Sequence, residues 1–95
     1  MRAIWKNTVL AESEQTIEME GNHYFPPTSL HWEFFKPSSR QSECSSKGQA
    51  CYYSVQIGNF ENKDAAWTYA QTKEPAKEIE GYIAFWKGVQ VVNTN

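Results

Sequence analysis

No excess of positive charge is available to this chain: nine Lys and Arg stand against eleven Asp and Glu, a net charge of −2. Binding to DNA or RNA draws on a basic stripe that displaces counterions from phosphates, so no nucleic-acid partner is expected. Long apolar runs are missing too. The longest, from Tyr82 to Trp86, falls far short of the about 20 residues that a membrane-spanning helix needs. Lys6, Asn7 and Glu12 interrupt the apolar start, so no secretory leader is expected there and the expected location is cytoplasmic. Cysteine is scarce: Cys44 and Cys51 form no C-x-x-C pair, and in a reducing compartment both read as free thiols. Cys44, Cys51, His23 and His31 are the right ligand types for zinc at the wrong spacing, so neither a metal nor another cofactor is expected. Asp64 is the sole aspartate, and nothing places it near a histidine, which leaves little room for a Ser-His-Asp triad.

What the chain does have is aromatic mass. Phe, Trp and Tyr make up 15% of its residues, enough for Trp5, Trp32, Trp67 and Trp86 to supply much of a core in one small domain. The dominant periodicity is two. Residues 2–5 and 8–11 are β-prone runs flanking a Lys6-Asn7 hairpin turn, and residues 16–20 alternate with Ile17 and Met19 on one face. Gly21-Asn22 reads as a turn, residues 23–25 as a strand ended by Pro26-Pro27, and residues 30–36 as an extended segment stopped by Pro37. Residues 38–49 are polar and without periodicity, which reads as a loop. Residues 51–57 alternate, with Cys51, Tyr53, Val55 and Ile57 sharing the inward face, and Gly58-Asn59 makes a turn. Residues 75–80, with proline at the start and Gly81 just past the end, carry the only good helix signal. Residues 82–86 and 89–92 read as a closing hairpin around Lys87-Gly88, with Trp5 and Trp86 entering their turns from the core. The expected class is all-β, with one short helix.

Four segments carry a resemblance. They are Gly21 to Pro27 (GNHYFPP), Cys44 to Gly48 (CSSKG) running into Tyr52-Tyr53-Ser54, Ala65 to Tyr69 (AAWTY), and Ile79 to Trp86 (IEGYIAFW). In this order and spacing the chain resembles the family known as domain of unknown function 427. The resemblance implies a β-tent type of fold, in which two small antiparallel sheets lean together. Related β-tent proteins often hold zinc between two C-x-x-C pairs, which this chain lacks. The family's nucleotidyltransferase-like label implies acidic residues spaced to hold magnesium on a triphosphate, and a single aspartate does not meet it.

Candidate site residues follow from chemistry and position. Cys44 sits three residues before Lys47, a cation that favours the thiolate, and Gly48 permits close backbone approach to a ligand. The bland alternative buries Cys44 beneath the loop and leaves Lys47 solvated. His23, just after the turn, is a candidate base or donor, although most histidines are structural, and Asn22 in that turn is a candidate ligand contact. Trp67 and Tyr69, with Tyr24 and Tyr53, offer rings for stacking or, more simply, for core packing. Glu12, Glu14, Glu18 and Glu20 read as a solvated strand edge. The first expectation is therefore a small-ligand-binding domain with a pocket between the sheets. A second is a small enzyme with Cys44, Lys47 and His23 as its catalytic group. A third is an interaction module that forms a homodimer through a sheet edge.

Overall fold

The computed structural model describes residues 1–94. Among them the chain forms nine strands and no α-helix, so the all-β class stands. The strands make three antiparallel sheets rather than the two expected. Strands β1 (Arg2–Trp5), β2 (Thr8–Glu12) and β9 (Gln90–Val92) lie in the order β2-β1-β9. Strands β3 (Ile17–Met19) and β4 (Asn22–Tyr24) form a two-stranded hairpin. Strands β5 (Phe35–Cys44), β6 (Gly48–Ile57), β7 (Phe60–Thr68) and β8 (Ile83–Phe85) form the four-stranded sheet in sequence order. Lys6 and Asn7 turn with φ of 52° and 57°, the left-handed pair that a tight hairpin turn requires. The next turn falls on Glu20 and Gly21, one residue earlier than expected, and Asn22 already belongs to β4.

Residues 38–49 are not a loop. They complete β5 and open β6, and only residues 45–47 turn. Ladder hydrogen bonds come from the backbone, so an edge strand facing water can be polar throughout and show no hydrophobic period. Pro37 is tolerated because β5 is an edge strand, and a register shift follows it before Gln41. The expected extended segment at 30–36 instead holds a 3-10 turn at Trp32–Phe34, preceded by another at Pro27–Ser29. The expected helix is a 3-10 segment, Glu74–Ile79, kinked at Ala76. Its six residues are too few to sustain an α-helix on their own. Glu80 closes that segment, accepting hydrogen bonds from the Thr72 N–H and hydroxyl and from the Lys77 ammonium. These three donors hold its carboxyl down at about 2. Among the described residues no helix is long and apolar enough to cross a membrane.

The four-stranded sheet buries both of its faces. On one, Val55, Ala66, Ile83 and Phe85 meet Ala3, Leu10 and Ala11 of the three-stranded sheet, with Phe25 and Leu30 between them. On the other, Tyr52, Tyr69 and Ala84 meet Tyr24 of the β3–β4 hairpin and Ile79 of the 3-10 segment. Phe25 and Ile83 exchange backbone hydrogen bonds of 2.7 and 2.9 Å, fixing that hairpin to the β8 edge. Lys87-Gly88 does not close a hairpin, because β8 pairs with β7 while β9 crosses to β1. Trp5 packs, half-buried, against the first core, whereas Trp86 stands 38% exposed outside both cores.

Candidate functional site

Alternation along each strand aims one set of side chains at the second face. Asn22 and Tyr24 come from β4, Tyr52 from β6, Trp67 from β7 with Tyr69 just beyond it, and Trp86 from the end of β8. With Glu20, Cys44 and Lys47 they line a cleft of about 310 Å³. The rings form walls rather than a stack. Tyr24 and Trp67 meet edge-on with centroids 6.2 Å apart, as do Trp67 and Trp86 at 5.9 Å, and Tyr52 lies tilted 6.3 Å from Trp86. Such perpendicular pairs favour the ring quadrupoles, the edge of one ring meeting the face of the next.

The Cys44–Gly48 turn delivers the polar groups. The Lys47 N–H donates to the Cys44 carbonyl, the Lys47 carbonyl accepts from the Lys73 N–H at 3.0 Å, and the Lys73 ammonium donates to the Ser45 carbonyl at 2.8 Å. This turn is clamped, not waving. Lys47 is consequently only 6% exposed, and its ammonium lies 4.0 Å from the Cys44 sulfur and pairs with the Glu20 carboxylate. A hydrogen bond from the Ser46 hydroxyl, 3.4 Å away, is the main force holding the Cys44 thiol below its usual range; the Ser46 and Lys47 backbone and the Lys73 charge act the same way. Burial pushes Tyr69 up to about 12 and raises Tyr24 as well, where a hydrogen bond with Trp67 opposes the shift. Both phenols are therefore neutral near pH 7 and able to donate to an anion.

Arg40, Ser42 and Cys44 share one face of β5. The Ser42 hydroxyl is 2.8 Å from the Tyr52 hydroxyl, and the Arg40 guanidinium lies over the Tyr52 and Trp86 rings at 4.9 and 5.5 Å. Trp86 is held from behind by its indole N–H, which donates to the Asp64 carbonyl. Asp64 itself sits in a β7 irregularity at φ 58°, where its N–H donates to Ser54 and its carboxylate accepts from the Ser38 hydroxyl. The aspartate thus serves to position a cleft wall.

Of the residues singled out from the sequence, Asn22, Cys44, Lys47, Trp67 and Tyr69 converge on the cleft. His23 and Tyr53 do not. His23 lies between Asn22 and Tyr24 on the other face of β4, opposite Glu18. Tyr53 packs against the first core, its ring beside Trp32 and Phe35. Gly48 is not among the cleft-lining residues; its missing side chain accommodates the Gln71 carbonyl, since a β-carbon there would lie 2.9 Å from that oxygen. Cys51, expected in the core, is only half-buried and belongs to neither core. Sequence reasoning missed Glu20, Tyr52, Trp86 and Arg40. Among the described residues no three of His, Cys, Asp and Glu converge closely enough to hold a metal ion.

The family described as a domain of unknown function, DUF427, matches residues 1–94, and the chain belongs to that family. No curated protein matches the chain.

Proposed function

We propose that the domain binds a small, flat, anionic ligand in the cleft between the four-stranded sheet and the β3–β4 hairpin. The observation that carries this is the convergence of five aromatic side chains and one buried lysine on a single concave surface. Aromatic walls of this kind hold a flat ligand by stacking or edge-to-face contact. A desolvated ammonium supplies one strong, charge-assisted hydrogen bond. Neutral phenols add donors, while the Arg40 guanidinium over the Tyr52 and Trp86 rings is already paired with the Asp64 carboxylate at 4.0 Å, which leaves Lys47 as the cation of the cleft. A concave surface lined by apolar rings with a few convergent polar groups is the usual make-up of a small-molecule site.

A thermal-shift screen of flat metabolites, anionic and neutral, tests the proposal. A ligand present at a hundred times its Kd adds about 2.7 kcal/mol, which lifts the Tm of a domain this small by roughly 10 °C or more. Hits should be anions, and Lys47→Met should abolish their effect. Hits that ignore Lys47→Met would contradict the assignment.

A second reading, a small enzyme with Cys44 as nucleophile, draws on the lowered thiol and the ammonium 4.0 Å from it. A lowered value keeps thiolate present as pH falls below the ordinary cysteine range. Iodoacetamide should therefore label Cys44 with a pH midpoint below that of free cysteine, read by mass spectrometry with Cys51 as internal reference. A midpoint at or above that of free cysteine would count against catalysis by this thiol.

A further inference from the structure

Glu20 and Lys47 make an unequal pair. The Lys47 side chain is 8% exposed and anchored by a clamped turn, while the Glu20 side chain is 66% exposed. Glu20 extends from a two-residue turn in which it and Gly21 both have positive φ, at 52° and 82°. The pair also stands at a boundary. The aromatic cleft lies to one side, and to the other lies a second depression of about 260 Å³ lined by Met19, Ser46, Pro75 and Ala76. Glu20 and Lys47 line both.

We infer that Glu20 is a built-in stand-in for the ligand's own carboxylate, occupying Lys47 in the free protein and giving way when an aromatic monocarboxylate enters. The inference rests on the ligand-binding reading of the cleft and deepens it. A buried ammonium without a counter-charge is costly, so Lys47 needs an anion in every state. An exposed carboxylate gains little from its ion pair and is easily exchanged. A free carboxylate of like geometry can therefore replace it without leaving Lys47 unpaired. One ammonium balances one negative charge, which matches a monocarboxylate better than a doubly charged phosphate. The aromatic walls set the rest of the ligand: a flat ring held against Trp67, Trp86 and Tyr69. When Glu20 moves aside, the wall between the two depressions goes with it, so substituents near the carboxylate find room beside Met19 and Pro75.

Indole-3-acetate and its neutral isostere indole-3-acetamide separate charge from shape. Their binding to the wild-type chain, to Glu20→Gln and to Glu20→Gln/Lys47→Met is measured by titration calorimetry, with thermal melts confirming that each chain is folded. Glu20→Gln should bind the acetate at least tenfold more tightly than wild type. The acetamide should change less than twofold, and adding Lys47→Met should erase the gain. Equal changes for the two compounds, or binding of both with no dependence on Glu20, would overturn the inference while leaving the cleft reading in place. Failure of both compounds to bind either the wild-type chain or Glu20→Gln would overturn the inference and the anion reading together.

Discussion

Phe25→Ala should lose about 3–5 kcal/mol of stability, the range for deleting a buried phenyl ring. Phe25 is fully buried in the first core, with its ring edge-on to Phe85 at 5.5 Å. Its backbone holds the β3–β4 hairpin on the β8 edge, while its neighbour Tyr24 faces the second core. Losing the ring empties the point where the two cores and the hairpin meet. Small domains hold only about 5 kcal/mol or somewhat more in total, so the variant should be largely unfolded without denaturant. Phe25→Leu, which keeps most of the volume, should cost much less, about 1.5 kcal/mol or below. Urea unfolding followed by tryptophan fluorescence measures both. A wild-type midpoint for Phe25→Ala would show that the hairpin does not depend on this anchor.

Gly48→Ala should cost about 2–5 kcal/mol, combining backbone strain with overpacking. Gly48 has φ of +119°, a region that side chains rarely adopt, and an added methyl group would strike the Gln71 carbonyl at 2.9 Å. That oxygen is backbone, so relief requires moving the segment that meets the Cys44–Gly48 turn, where the Lys73 N–H holds the Lys47 carbonyl. Gly21→Ala is the control: φ is also positive at +82°, but nothing lies within 4 Å of the added carbon. It should cost only the conformational strain, about 1 kcal/mol. Equal denaturant midpoints for the two variants would mean that the Gly48–Gln71 approach carries no weight. A large loss at Gly48 alone would assign this glycine to the architecture of the turn rather than to ligand approach.

Strand identity was legible wherever hydrophobicity alternated, because burial on a sheet face imposes period two. The same logic put Trp67, Tyr69 and Tyr24 together. It chose Tyr53 over Tyr52 because the central sheet is covered on both sides. An aromatic pair on such a strand signals two buried faces without saying which one has a cleft. Arg40 stayed hidden in a polar stretch whose strand character lies in backbone ladders. Glu20 looked like one more solvated carboxylate, since its partner Lys47 is distant in sequence and is brought close only by the fold. Trp86 resembled Trp5 locally, but β8 stays in the four-stranded sheet while the chain beyond it crosses to another.

The four tryptophans allow the most direct test, because each indole N–H gives its own signal in a nitrogen-correlated NMR spectrum. Trp67 and Trp86 line the cleft, whereas Trp5 packs on the first core and Trp32 sits with Phe35 and Tyr53 on the opposite side of the central sheet. Titration with indole-3-acetate, using Trp→Phe variants to assign the four signals, should shift Trp67 and Trp86 saturably and leave Trp5 and Trp32 in place. Shifts confined to Trp5 or Trp32, or no saturable shift at any of the four, would contradict a ligand site in this cleft.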